Sequence, residues 1–177
     1  MSPLKSGDTD KPSISWYLYA IKFLCGYQQE TRDNAEVVPL TAAPTLRPGI
    51  YATDVNILNP NYKQNVQIYK FYVPLIDSGK PIGREPEKGK QLEVWDEIVL
   101  GPHQATFDDC FKMYRLNGLP ITSGPLSMGY FEIFCEYKLI VNAVYTVNDV
   151  RGLSTCLEIL TITPMEINWK PPGPKNK

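Results

Sequence analysis

The chain has 177 residues, 43% of them apolar and 21% charged, a composition that suits one globular domain able to bury a core without help from a metal or a disulfide. Its 18 basic and 19 acidic side chains nearly cancel, which removes long-range attraction to nucleic acid or to an acidic membrane surface as an organising force. The 16 prolines are nearly twice what an average usage of about 5% would supply, and predict many loops.

In chain order, the polar start MSPLKSGDTDKPS predicts a flexible N-terminal arm over residues 1–13 and does not read as a secretory signal. A single domain over 14–169 follows, and KPPGPKNK predicts a flexible Pro-rich tail over 170–177. Within the domain the apolar period is two. The first strand runs from Trp16 to Cys25; the apolar stretch around it is short and contains Lys22, so no membrane insertion is expected. The second, Gly49 to Leu58, alternates Tyr51, Thr53, Val55 and Ile57 against Ala52, Asp54 and Asn56, and ends in an Asn59-Pro60-Asn61 turn. Asp54, Asn56 and Asn59 together form a calcium candidate by their oxygens. Such sites normally carry more carboxylates, so the turn-and-capping reading is preferred.

Further strands are predicted from Val66 to Leu75 and from Leu92 to Leu100, separated by a mixed-charge hairpin loop over 77–91. ATFDDCFKMYRLNG then changes the period. Thr106 is the expected N-cap; Phe107, Cys110, Phe111 and Tyr114 form one apolar stripe; Asp108 and Asp109 suit the positive end of the dipole, and Asn117-Gly118 the stop. Beyond it, Phe131, Ile133 and Cys135 share one face against Glu132 and Glu136, and two strands, Leu139 to Val147 and Thr155 to Thr163, complete the set. The expected fold is all-β: an antiparallel β-sandwich, jelly-roll or Ig-like, of seven to eight strands, with one short helix near residues 106–117 plugging an end.

Candidate chemistry is sparse. The single histidine, His103, lies in a loop, and with Asp108 and Asp109 it is the only basis for a hydrolase reading; no nucleophile elbow accompanies it. SGKPIG lacks the spacing of a phosphate loop. The four cysteines, Cys25, Cys110, Cys135 and Cys156, contain no Cys-x-x-Cys pair, which argues against zinc; they allow three disulfide pairings, and spacing selects none. No enzyme activity, metal or other cofactor is expected. Trp16, Trp95 and Trp169, with eleven tyrosines, fit either a glycan-stacking platform or, in preference, a core or subunit interface.

Four motifs in order, YAIKFLCG, RPGIYATDVNILNPN, IVLGPHQATFDDC and AVYTVNDV, resemble those of a family of small all-β microbial proteins with a K-F-x-C-G opening, a P-G-x-Y-x-T strand leading to Asn-Pro, and a late A-V-Y-T strand. That family carries no assigned catalytic residue or cofactor. The resemblance implies that Cys25 and Cys110 both lie in family motifs, which favours their pairing.

The function expected is that of a non-enzymatic structural protein whose copies associate into a homo-oligomer or extracellular fibre, with the N-terminal arm exchanged as a strand along a neighbour's edge. The alternative is a carbohydrate- or surface-binding module using exposed aromatics, with polysaccharide as partner. Either suits an extracellular or cell-surface setting, and neither involves nucleic acid.

Overall fold

The computed structural model describes residues 15–28, 49–77, 80–81, 96–112, 125–148 and 155–171. The expected arm at 1–13, the Pro-rich tail beyond Pro171, the loop over 82–91 and Trp95 lie outside the described residues. Among the described residues ten strands are present: β1 (Trp16–Gln28), β2 (Gly49–Leu58), β3 (Val66–Asp77), β4 (Lys80–Pro81), β5 (Asp96–Leu100), β6 (Ala105–Asp108), β7 (Ser127–Cys135), β8 (Ile140–Asn148), β9 (Thr155–Thr161) and β10 (Met165–Ile167). All neighbouring strands pair antiparallel. Among the described residues no helix is long and apolar enough to cross a membrane.

The main hydrogen-bonded path runs β4-β3-β7-β1-β2-β8-β9, folded into two layers that share β1. Tyr17 to Cys25 of β1 pair with β7 in the first sheet, whereas Gly26 to Gln28 pair with Gly49 to Tyr51 in the second. The change of sheet falls at Gly26, whose φ of 106° is open to glycine and strained for other residues. A strand that turns a corner in this way is how a sandwich closes one side.

The core lies where period-two alternation puts it. Tyr19, Ile21, Phe23 and Cys25 of β1, Val66 and Ile68 of β3, and Phe131, Ile133 and Cys135 of β7 face Val55 and Ile57 of β2 and Val141 and Ala143 of β8 in one buried cluster. Each large apolar side chain sealed there contributes about 1.5–3 kcal/mol by leaving water. A second cluster covers the outer face of the first sheet: Trp16, Phe71 and Phe134 are buried, with Leu18, Tyr69, Ile167 and Trp169 packed against them. The segment that includes β10 brings Trp169 onto this face, its ring 4.5 Å from Phe134 and 4.7 Å from Trp16.

One expected element differs. Residues 105–108 pair with Val55 to Leu58 as β6, so that part of the helical signal is overridden; residues 110–112 are helical, and Tyr114 and Asn117-Gly118 lie outside the described residues. The cap of this helical turn is Asp109, whose Oδ1 accepts the N–H of Lys112 at 2.8 Å, not Thr106. Phe107 and Phe111, expected on an inward stripe, are exposed, because strand alternation sends Phe107 outward while Asp108 turns in. Bonding to β2 satisfies more backbone groups than the first turn of an isolated helix would.

Gly129 sits between two crossing neighbours: a Cβ there would lie 2.2 Å from the Val73 carbonyl oxygen and 2.9 Å from both Phe23 and Pro74. The β3 register also shifts between Pro74 and Ile76, so the backbone at this point is already set by close approach. Gly129→Ala should therefore destabilise the fold by about 1–3 kcal/mol or more, the cost of overpacking, read as a lower urea midpoint at unchanged slope.

Candidate functional site

The polar centre of the molecule is a closed ring of four charges between the sheets. Lys70 occupies an inward position on β3, in line with Val66 and Ile68, and pairs across the ladder with Asp96 of β5. Asp108 reaches the same space from β6 of the other sheet, and Lys112 from the helical turn. Lys70 Nζ lies 2.7 Å from Asp108 Oδ2, with both side chains fully buried, and 3.3 Å from Asp96 Oδ2. Lys112 Nζ closes the ring at 2.8 Å from Asp96 Oδ2 and 2.5 Å from Asp108 Oδ1, and its side chain is one-third exposed. Two positive and two negative charges balance, as buried ions must to survive the loss of water.

The ring polarises its members differently. Burial pushes Lys70 below the ordinary lysine value, against the upward pull of Asp108. For Lys112 burial acts in the same direction, yet hydrogen bonds to Asp108 and Asp96 outweigh it and its value rises. Burial would raise Asp96, but the Lys112 hydrogen bond and the Lys70 charge hold it below the usual carboxylate range.

A covalent tie lies alongside. The structure joins Cys25 of β1 to Cys110 of the helical turn, with Cα atoms 5.6 Å apart across 85 residues of sequence. The N–H of Thr53 donates to Cys110 Sγ at 3.2 Å. Thr53 Oγ1 accepts the N–H of Leu24 and donates to the Leu24 carbonyl, both at 3.0 Å, and Tyr145 Oη donates to the Lys22 carbonyl at 2.6 Å. Side chains of the second sheet thus satisfy the edge of β1 where no strand pairs with it. Tyr19 plays a matching role at the β7–β8 turn: its hydroxyl donates to Leu139 O and accepts from Leu139 N, and burial raises its pKa to about 12.

The other residues singled out in the sequence are scattered. Asn59 is buried; its amide nitrogen donates to the carbonyls of Gln64 and Gly101, both at 2.9 Å, and its Oδ1 accepts the N–H of Asn61. It is a loop anchor. Asp54 and Asn56 lie on the opposite, outer face of β2, so the three oxygens of the calcium candidate do not converge. Among the described residues no group of three or more His, Cys, Asp or Glu side chains is placed to hold a metal. His103 is exposed with φ 54° and stacks on Tyr62 at 4.6 Å, whereas Asp108 is fully buried in the charge ring between Lys70 and Lys112. The His103–Asp108–Asp109 hydrolase arrangement is therefore not assembled. Trp16 is 4% exposed and Trp169 packs onto it, so these two members of the glycan candidate belong to the second core cluster, while Trp95 lies outside the described residues. Cys135 is a buried free thiol with its pKa raised by burial to about 12, and Cys156 is free and exposed.

The surface holds one further feature. Among the described residues β9 pairs only with β8, leaving its other edge open. Its side chains are apolar on both faces: Leu157 is 60%, Ile159 62% and Leu160 41% exposed. Exposed Phe107 and Ile140 continue the apolar surface along the outer face of the second sheet, beside a shallow groove of about 240 Å³ lined by Asn56, Ala105 and Asn142.

Sequence reasoning passed over Lys70 and Asp96. The signal was present: Lys70 stands two residues after Ile68 on the apolar phase of its strand, and Asp96 two before Ile98 on its own. Comparison with protein-family models, curated proteins and solved structures returns no match to the chain.

Two outcomes follow from the ring and its neighbour. Asp96, held low, contributes stability that is present above its unfolded value of 3.8 and disappears as the pH falls through the folded value. Lys112, held high, contributes stability that is present below 10.5 and disappears as the pH rises through the folded value. Denaturation midpoints should drop at both extremes, and Asp96→Asn should flatten the acid limb. Reducing the Cys25–Cys110 bond, or Cys110→Ser, should cost about 2–4 kcal/mol by freeing a long loop in the unfolded chain, measured by urea unfolding with and without a thiol reductant.

Proposed function

We propose that this chain is a non-enzymatic structural subunit, a β-sandwich that associates with copies of itself into a homo-oligomer through the β9 edge. The observation that carries the reading is β9, which among the described residues leaves one row of main-chain donors and acceptors open, flanked by exposed Leu157, Ile159 and Leu160. Soluble sandwiches usually blunt such an edge with charge, proline or a bulge, and β9 has a single charged side chain, Glu158. A second copy offers the same strand, so two β9 edges can pair antiparallel about a two-fold axis. The net charge of −1 raises no barrier to association. A two-fold contact closes on itself, and growth to a fibre needs a second contact, for which residues 1–13 of a neighbour remain the proposed strand. The Cys25–Cys110 disulfide supports an extracellular or cell-surface setting, where such bonds persist. The charge ring supports a structural and not a catalytic role, since its carboxylates are committed to lysines and Asp108 is closed to solvent.

Sedimentation of the full-length protein over a wide concentration range tests this reading. Wild type should grow in mass with concentration, and Ile159→Lys should remain a monomer while keeping its unfolding midpoint within about 0.5 kcal/mol of wild type, as a surface change does. Loss of association on deleting residues 1–13, with Ile159→Lys unaffected, would move the contact to the arm. A wild type that stays monomeric throughout would refute self-association.

A further inference from the structure

We propose that Lys70 and Asp108 are the two halves of an intramolecular isopeptide bond, an amide from Lys70 Nζ to Asp108 Cγ that joins β3 of one sheet covalently to β6 of the other. The two groups meet at 2.7 Å with no solvent exposure on either side chain. Holding an amine and a carboxyl in this way replaces an encounter in solution by an intramolecular step, for which effective molarities reach about 10⁵–10⁸ M. The enclosure also favours the product. A buried ion pair carries a desolvation penalty that a neutral amide lacks, and the water released leaves the enclosed site for bulk solvent.

The other two members of the ring supply what the step needs. Lys70 Nζ passes one proton to Asp108 Oδ2 across the 2.7 Å contact, which leaves a neutral amine facing a neutral carboxylic acid. The nitrogen lone pair adds to Asp108 Cγ, and negative charge develops on Oδ1, where the Lys112 ammonium already stands at 2.5 Å. Asp96 Oδ2, 3.3 Å from Lys70 Nζ, takes a second proton from the nitrogen and returns it to the hydroxyl at Oδ2, which departs as water with its C–O bond pair. The ammonium's three hydrogens are then accounted for, one on the amide and two in the water, and no oxidant, activating nucleotide or other co-reactant is required. Lys112 touches the same carboxyl, but partial exposure and two carboxylate partners hold it as a cation. Lys70 is the one that burial drives toward the amine. The bond adds a crosslink between the sheets to the one made by Cys25 and Cys110, and stands whether or not the subunits associate.

The test is the intact mass of the full-length protein, denatured with its cysteines reduced and alkylated. The expected mass is that of the sequence less one water, and proteolysis followed by fragment sequencing should yield a branched peptide linking Lys70 to Asp108. Lys70→Arg and Asp108→Ala should restore the full sequence mass. Asp96→Asn should form the link at least about 100-fold more slowly, the loss expected on removing a proton acceptor, followed as the deficit grows after refolding. A wild-type mass equal to the sequence, a missing water without a branched peptide (a cyclised aspartate), or a branch at Lys112 would each overturn the proposal, independently of how any variant folds.

Discussion

The architecture depends on one strand serving two sheets. β1 begins as a partner of β7 and ends as a partner of β2, with the change at Gly26. A strand that leaves one sheet for another has a stretch of edge that no strand covers, and buried main-chain groups cannot be left bare. Here Thr53 and Tyr145, both from the second sheet, supply the missing partners at Leu24 and Lys22. The two layers are therefore held at a fixed spacing by hydrogen bonds as well as by apolar contact. The disulfide leaves β1 one residue before this corner, at the place where a shift between layers would do the most damage.

The charge ring answers a related need beside that disulfide, with Asp108 and Lys112 two residues either side of Cys110. β6 is short and bonds only to β2 among the described residues. Apolar burial alone would leave its placement against the first sheet loosely specified, because apolar contact has no direction. Asp108 between Lys70 and Lys112 has direction: displacement of β6 would separate buried charges, which costs far more than sliding one apolar face over another. The ring gives a polar key to the register of the two layers, while the Tyr19–Leu139 and Asn59–Gly101 contacts key the connecting turns.

The body is fastened across its layers by the disulfide, the charge ring and the Thr53 and Tyr145 hydrogen bonds. Lys70, Asp96, Asp108 and Lys112 are saturated by one another, and Trp16 and Trp169 pack on the outer face of the first sheet. Among the described residues the edge that stays open is that of β9, where Leu157, Ile159 and Leu160 are exposed.

The strand content was legible because alternation is a local property: the bounds Gly49 to Leu58 follow from Tyr51, Val55 and Ile57 falling in phase, and the inward face of β7 from Phe131, Ile133 and Cys135. The turn at Asn59-Pro60-Asn61 was legible for the same reason. What a helical cap at Thr106 could not disclose is that β2 lies within reach to capture residues 105–108, since that pairing spans about fifty residues and competes with a local signal. The same limit hid the ring. Alternation marks Lys70 and Asp96 as charges on the apolar phase of their strands, but which opposite charge meets them depends on how two sheets stack. It likewise took the stacking to send Trp16 and Trp169 into a second core and, among the described residues, to leave one edge of β9 open, because burial of an outer face is decided by whatever segment returns to cover it.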